Sequence, residues 1–169
     1  MRKRERAADA LLVDRSIVAY HQDDLGDWVA ELDCLHDQHV RNQPPFINRP
    51  WAATAAGRES HLGARLPCLR CDRLEWPDHL VPYKQTPEFT ESTIPHGLLT
   101  PHATKRGVWG RIKVTAGTLQ YIVQSPEPTT FEIIAGGYAA IAPGMLHRVA
   151  PIGNVRFVVA FYGKPAAAG

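Results

Sequence analysis

Cys34-Leu35-His36, answered 31 residues later by Cys68-Leu69-Arg70-Cys71, organises this chain of 169 residues. All three cysteines fall in these two short runs. Thiolate and imidazole are the ligands that a structural zinc takes in a tetrahedron. A Cys-x-x-Cys turn folds back so that both sulfurs can meet one ion. Cys34 and His36, two residues apart at the mouth of a hairpin, can be bent toward the same point. The expected site is therefore Cys34, His36, Cys68 and Cys71, with His39 as the rival for the fourth position. With all ligands supplied by the protein, it reads as closed and non-catalytic. Two other readings fit the same residues: buried apolar cysteines with a surface His36, or a redox Cys-x-x-Cys, whose usual βαβ setting is missing.

The flanking residues frame this site as a small β module. Ile17-Val18-Ala19-Tyr20 and Trp28-Val29-Ala30-Glu31-Leu32 read as strands around an Asp23–Asp27 turn. His39-Val40-Arg41 follows as a third strand, stopped by Gln43-Pro44-Pro45 because proline cannot donate to a ladder. Residues 54–62 carry a short helical pattern weakened by Gly57, and Cys68–Cys71 reads as a tight loop. A module of this size has a thin core and needs a staple. Zinc supplies one, at roughly 10–16 kcal/mol of apparent binding energy in small peptides.

Trp76 to Pro82, with two prolines, reads as a linker. Beyond it the chain alternates apolar and polar residues in short runs. Val108–Val114 and Leu119–Gln124 are expected to pair through a turn at Ala116-Gly117. Phe131–Ile134, Tyr138–Ala142, Leu146–Ala150 and Val155–Tyr162 follow, punctuated by Gly136-Gly137, Pro143-Gly144 and Ile152-Gly153-Asn154. Such spacing predicts a sandwich or barrel. The domain expectation is a tail (1–15), a zinc-binding β module (16–75), a linker (76–82) and a barrel (83–165).

Charge limits the partners. The net charge of +2 hides six basic and nine acidic side chains over residues 16–75. A nucleic-acid reader shows a concentrated basic footprint, so nucleic acid is not the expected partner of this acidic module. No apolar run approaches the ~18 residues that a membrane span needs, and the basic start lacks a signal-peptide core. A reducing cytoplasm is the expected compartment.

Both halves carry a family resemblance. Tyr20-His21-Gln22-Asp23-Asp24, Gly26 through Cys34, His36, Gln38-His39-Val40-Arg41, Gln43-Pro44-Pro45, Arg49-Pro50-Trp51 and Gly63 through Cys71 resemble a small bacterial Cys/His domain of unknown function, zinc-ribbon-like, across residues 17–72. Leu35 replaces that family's usual glycine, and Asn42 its usual histidine. Tyr83 through Phe89, His102-Ala103-Thr104-Lys105, Gly107 through Ile112, Gly117 through Tyr121, Pro143, His147 and Phe161-Tyr162 resemble the cupin-like family of tellurite-resistance protein B and YeaR-type stress proteins, across residues 83–162. This resemblance implies a double-stranded β-barrel associated with resistance or oxyanion stress.

In a cupin centre, two histidines, a glutamate and a later histidine hold a metal. Here only His102 and His147 fill such positions. Thr104 stands at the second histidine, and Ala142 and Ala160 stand where relatives place glutamate. Two imidazoles are a thin ligand set, since catalytic metals usually have three protein ligands. His96, Glu88, Glu91 and Glu132 are the spare groups. Trp109, Tyr121 and Phe161 read as core, and Arg111 and Lys113 as a solvated face. The residues predict a mainly β, non-enzymatic, metal-containing binding protein, and the resemblance implies a role in tellurite or oxyanion stress response. Its barrel takes a small molecule or oxyanion at His102 and His147. The alternative is a metal-dependent cupin enzyme, an oxygenase or isomerase, with a second divalent metal in the barrel. A homodimer stays open.

Overall fold

Two antiparallel sheets make up the computed structural model, which describes residues 13–40, 49–124 and 127–166. The first sheet has the order β3-β2-β1-β4, from β1 (Asp14–Gln22), β2 (Trp28–Leu32), β3 (Asp37–His39) and β4 (Arg65–Pro67). β1 begins at Asp14, inside the stretch expected to be tail, because Asp14, Arg15 and Ser16 pair with Pro67, Leu66 and Arg65 of β4. β3 lies two residues earlier than expected and pairs Asp37, Gln38 and His39 with Glu31, Ala30 and Val29. Arg41, Asn42, the Gln43-Pro44-Pro45 stop and most of the expected tail lie outside the described residues.

The helix expected over 54–62 forms at Ala55–Ser60, with the Thr54 side chain accepting from the Gly57 N–H. Gly57 is there for space. A Cβ would stand 2.1 Å from the Trp51 carbonyl oxygen. The run expected as a tight Cys-x-x-Cys loop is a helical turn, Leu69–Asp72, entered from Cys68 and closed by Leu74 at φ 52°. The N–H of Glu75 bonds Arg70 C=O and that of Leu74 bonds Cys71 C=O, a Schellman ending with leucine at the usual glycine position.

The second sheet contains β5 (Val81–Gln85), β6 (Phe89–Thr90), β7 (Trp109–Val123), β8 (Thr129–Ile134), β9 (Tyr138–Ile141) and β10 (His147–Gly163). The expected reversal at Ala116-Gly117 is absent. β7 runs straight through it, and β10 runs through Ile152-Gly153-Asn154. The two turn signals face each other instead. Val155 pairs with Gly117, and the register slips between Ile152 and Val155. Gly117 has φ 74°, and a Cβ there would lie 2.0 Å from the Asn154 carbonyl oxygen. Paired bulges bend both strands together, as they do at barrel corners. One half of the bent pair carries β5 and β9, the other β8. The C-terminal half is thus mainly β, a six-stranded antiparallel sheet bent at the paired bulges.

A single apolar core joins the halves. Ile17, Leu32, Cys34 and Cys71 belong to the same buried cluster as Trp109, Ile112, Tyr121 and Phe157. The residues expected to be a linker are packed: Trp76 meets Trp109 at 5.7 Å and Tyr162 at 4.8 Å between ring centroids. β5 already starts at Val81. Lys113 is exposed as expected, whereas Arg111 is half-buried. Its guanidinium lies over Trp76 at 4.4 Å and near Tyr138 at 5.1 Å and Tyr162 at 5.4 Å. Exchange of water for aromatic faces suits a weakly hydrated guanidinium. Among the described residues, no helix is long and apolar enough to cross a membrane.

Candidate metal centre and barrel cavity

The turn joining β2 to β3 creates half of the cysteine site. Leu35 N–H bonds Leu32 C=O, and Leu32 N–H bonds His36 C=O. This is a three-residue hairpin loop whose last residue takes the left-handed conformation. Leu35 is that residue, at φ 70°. The glycine that the resemblance expects at this position therefore has a backbone reason, and leucine there carries about 1–2 kcal/mol of strain.

The structure brings all four expected ligands together. Cys34, His36, Cys68 and Cys71 are buried, and their ligand atoms lie within 4.8 Å of one another. His36 Nδ1 is 3.5 Å from Cys34 Sγ, 3.4 Å from Cys68 Sγ and 3.4 Å from Cys71 Sγ. Cys34 and Cys68 sulfurs are 3.9 Å apart. A tetrahedron with zinc–sulfur bonds of about 2.3 Å and zinc–nitrogen bonds of about 2.0–2.1 Å has S···S edges of about 3.8 Å and S···N edges of about 3.5–3.6 Å. The three nitrogen–sulfur separations and the Cys34–Cys68 separation fit that figure.

His36 is set for the role by its far nitrogen. Nε2–H donates to Glu75 C=O at 2.7 Å, which leaves the Nδ1 lone pair for the cluster. The Schellman ending places that carbonyl. His39, the rival fourth ligand, is not in the cluster: its Nε2 pairs with Asp23 Oδ2 at 2.8 Å on the surface. The sulfurs divide their charge unequally. Cys68 is held low because the Cys34 and Cys71 thiols donate to it. Cys34 is pushed up to about 12, chiefly by its bond to Cys68. Cys71 is pushed up by its bonds to Cys34 and Cys68. A divalent ion is what allows three adjacent thiols to ionise together.

The barrel supplies one wall of this site. Trp109 Nε1–H donates to Cys34 C=O at 2.7 Å, and the His36 and Trp109 rings meet edge to face at 5.3 Å. Nothing local in the sequence marks Trp109 for this part, since its partner is 75 residues away.

His102 and His147 also converge. They form an antiparallel bridge, with N–H···O distances of 3.0 and 2.9 Å, and their ring centroids are 4.2 Å apart. His102 Nδ1 is 2.8 Å from Thr100 O, and His147 Nδ1 is 2.8 Å from Met145 O. A carbonyl only accepts, so each Nδ1 carries a proton, and in the neutral tautomer so fixed Nε2 is the acceptor. Burial lowers His147 to about 4, assisted by the nearby His102 and opposed by the Met145 carbonyl.

Both rings line a cavity of about 400 Å³. Its walls are mostly apolar, including Ile112, Val149 and Phe157, while Lys84 and Lys105 stand among the lining residues. Among the described residues, no aspartate or glutamate lines it. The spare carboxylates are engaged or distant. Glu88 bonds Thr115 and Arg156, and Glu91 accepts from Val155 N–H. Among the described residues, no third metal-binding group joins the two histidines in a metal-sized cluster. Ala160 is not a vacated ligand position. Val159 and Phe161 line the cavity, so strand alternation turns Ala160 to the opposite face.

Comparisons with known proteins agree with this division. Residues 18–75 match a family described as a protein of unknown function, DUF3565. Residues 84–159 match the TehB-like domain. No curated protein matches the chain. Among solved structures, a protein from E. coli (strain K12) is 27% identical over 53% of this chain and 96% of its own, with a TM-score of 0.49. TehB from Haemophilus influenzae is 26% identical over 52% of this chain, with a TM-score of 0.46, and the match spans 32% of that protein. A cupin-2 domain protein from Shewanella frigidimarina is 14% identical over 56% of this chain and 92% of its own, with a TM-score of 0.32.

Proposed function

We propose that this chain is a non-enzymatic binding protein of the cytoplasm whose barrel takes a small, oxyanion-bearing ligand and whose Cys3His cluster holds a structural zinc. The observation that carries the reading is the cavity of about 400 Å³, which among the described residues is lined by lysines but no carboxylate and holds two histidines without a third metal ligand. That volume lies in the range of small-molecule sites, about 300–1,000 Å³. Lys84 and Lys105 attract the anionic end of the ligand. The apolar wall covers its body. His102 and His147 offer Nε2 acceptors, so a ligand carrying a hydroxyl beside its anionic group fits best. The TehB-like half adds the association with tellurite or oxyanion stress. Four protein ligands with no open position make the zinc a staple, not a catalyst.

The test combines ligand titration with metal analysis of full-length protein. Tellurite, inorganic phosphate, benzoate and salicylate are titrated while amide and histidine NMR signals are followed. Saturable shifts at Lys84, Lys105, His102 and His147 with at least one of them are expected. Their absence with all four at millimolar concentration overturns the binding reading. Metal analysis should give about one zinc per chain, unchanged in His102→Ala and His147→Ala. A second metal lost from those two variants would instead favour the metal-dependent cupin enzyme.

A further inference from the structure

Four donor-bearing side chains meet on the outer face of the barrel with no acceptor among them. The Arg111 guanidinium lies 4.4 Å from the Trp76 ring, 5.1 Å from Tyr138 and 5.4 Å from Tyr162. Among the described residues, neither the guanidinium, the Trp76 indole N–H nor the hydroxyls of Tyr138 and Tyr162 have a hydrogen-bond or ion-pair partner. Aromatic faces offset the charge of a guanidinium but leave its five N–H donors without acceptors. They also hold its planar fork still, ready for a carboxylate. Tyr138 is 68% exposed, so the face is open. Lys113, exposed and also without an ion partner among the described residues, stands two residues further along β7 on the same face.

The strand beside these cations is an edge. Among the described residues β9 pairs with β7 alone, placing Ala140 opposite Arg111 and Tyr138 opposite Lys113. On its other side Arg111 faces Ala160, so only alanines flank it in register. A strand added to β9 sets alternate side chains on this face. One crosses Ala140 toward Arg111, and the next but one passes Tyr138 toward Lys113. We propose that this face docks an extended acidic segment of a partner protein, with two glutamates spaced Glu-x-Glu, one on Arg111 and one on Lys113. Its backbone pairs with the free edge of β9. A second copy of this chain does not supply it. The chain's own acidic pair at that spacing is Glu31 and Asp33. Glu31 sits in β2 between β3 and β1 and pairs with Lys164, while Asp33 pairs with Arg106. Two cations fall short of the concentrated basic footprint that nucleic acid needs. Arg111 does not line the cavity of about 400 Å³, so the docking face is separate from the ligand site proposed above.

The probes are three amidated peptides with an N-terminal fluorescein: Thr-Val-Glu-Val-Glu-Val-Thr, its version with both glutamates replaced by glutamine, and Thr-Val-Glu-Glu-Val-Val-Thr. The last keeps the charge but turns its glutamates to opposite faces of a strand. Each is titrated with the full chain by fluorescence anisotropy, and the NMR signals of the Arg111 Nε–H and the amides of residues 138–141 are followed. The Glu-x-Glu peptide should saturate with a Kd below about 1 mM and shift those signals. Loss of a charge-assisted hydrogen bond should weaken the other two peptides by roughly 10–100-fold. Arg111→Met should bring the same loss, Arg111→Lys should recover little of it because an ammonium has no fork, and Lys113→Ala should cost about 2–5-fold. Equal binding of the three peptides, wild-type affinity in Arg111→Met, or no saturation by the Glu-x-Glu peptide would overturn the proposal. The peptide comparison uses the wild-type chain, so it decides even where a variant fails to fold. Tighter binding of a thymidine heptanucleotide than of the Glu-x-Glu peptide would overturn it in favour of a nucleic-acid face.

Discussion

Stripping the metal should loosen the barrel as well as the cysteine module. A structural zinc contributes about 10–16 kcal/mol in small peptides, comparable to the whole stability of a domain at about 5–15 kcal/mol. The cysteine half should therefore unfold on metal removal. Trp109 is fully buried and bonds the Cys34 carbonyl at 2.7 Å, so it loses its wall and its acceptor. The unmade hydrogen bond costs about 1–3 kcal/mol. Re-exposing the ring, at about 150–250 Å² and about 25 cal/mol per Å², adds up to about 4–6 kcal/mol. These upper bounds approach the stability available to the barrel. The assay is a chelator titration of purified protein followed by tryptophan fluorescence, zinc release and the methyl NMR signals of Ile112, Ile141 and Val149. One transition shared by all three probes is expected. Native barrel methyl signals at complete zinc release would refute this coupling.

Gly117→Ala should destabilise the protein by ~2–4 kcal/mol, because it adds left-handed strain and drives a Cβ into Asn154; an unchanged urea midpoint would show that the bend does not need glycine. Gly57→Ala should also destabilise, although alanine in an open helix gains about 1 kcal/mol over glycine, because the Trp51 carbonyl blocks the methyl; a raised melting temperature would contradict this. His147 makes stability depend on pH. Its folded value of about 4 lies below the ordinary histidine value, so the unfolded chain takes the proton first. Stability is fully present above pH ~6.5 and is lost toward pH 4, by up to about 3 kcal/mol. His147→Gln should remove that part of the slope between urea midpoints at pH 7 and pH 4.5, and equal slopes in both proteins would speak against it.

The cysteine cluster was legible because its information is local. Two short runs name the ligands, and thiolate chemistry restricts their use. The strands of the barrel were legible from alternation and punctuation. What misled was Gly117: a left-handed glycine beside a small residue marks a reversal or a bulge equally well. The choice depends on residues 153–155, far along the chain. Arg111 shows the same limit. A basic residue in a strand defaults to solvent until the opposite surface is known. Trp76, Tyr138 and Tyr162 lie against its guanidinium. His39 was a sound rival by spacing alone and lost to His36 because the Leu35 turn aims one ring inward. Asp23 holds the other outside.

The bent pair of β7 and β10 has a consequence for how the protein is made. β10 is the partner of β5, β6, β7 and the His102 bridge. During synthesis it emerges after all of them. Neither half of the bent sheet can close, and the two histidines cannot meet, until residues 147–163 have left the ribosome. The earlier strands must wait with apolar faces uncovered, whereas the cysteine ligands are complete once residue 71 is out. Metal capture can therefore precede barrel closure, which gives Trp109 a formed surface to dock on while the last strand is still being added.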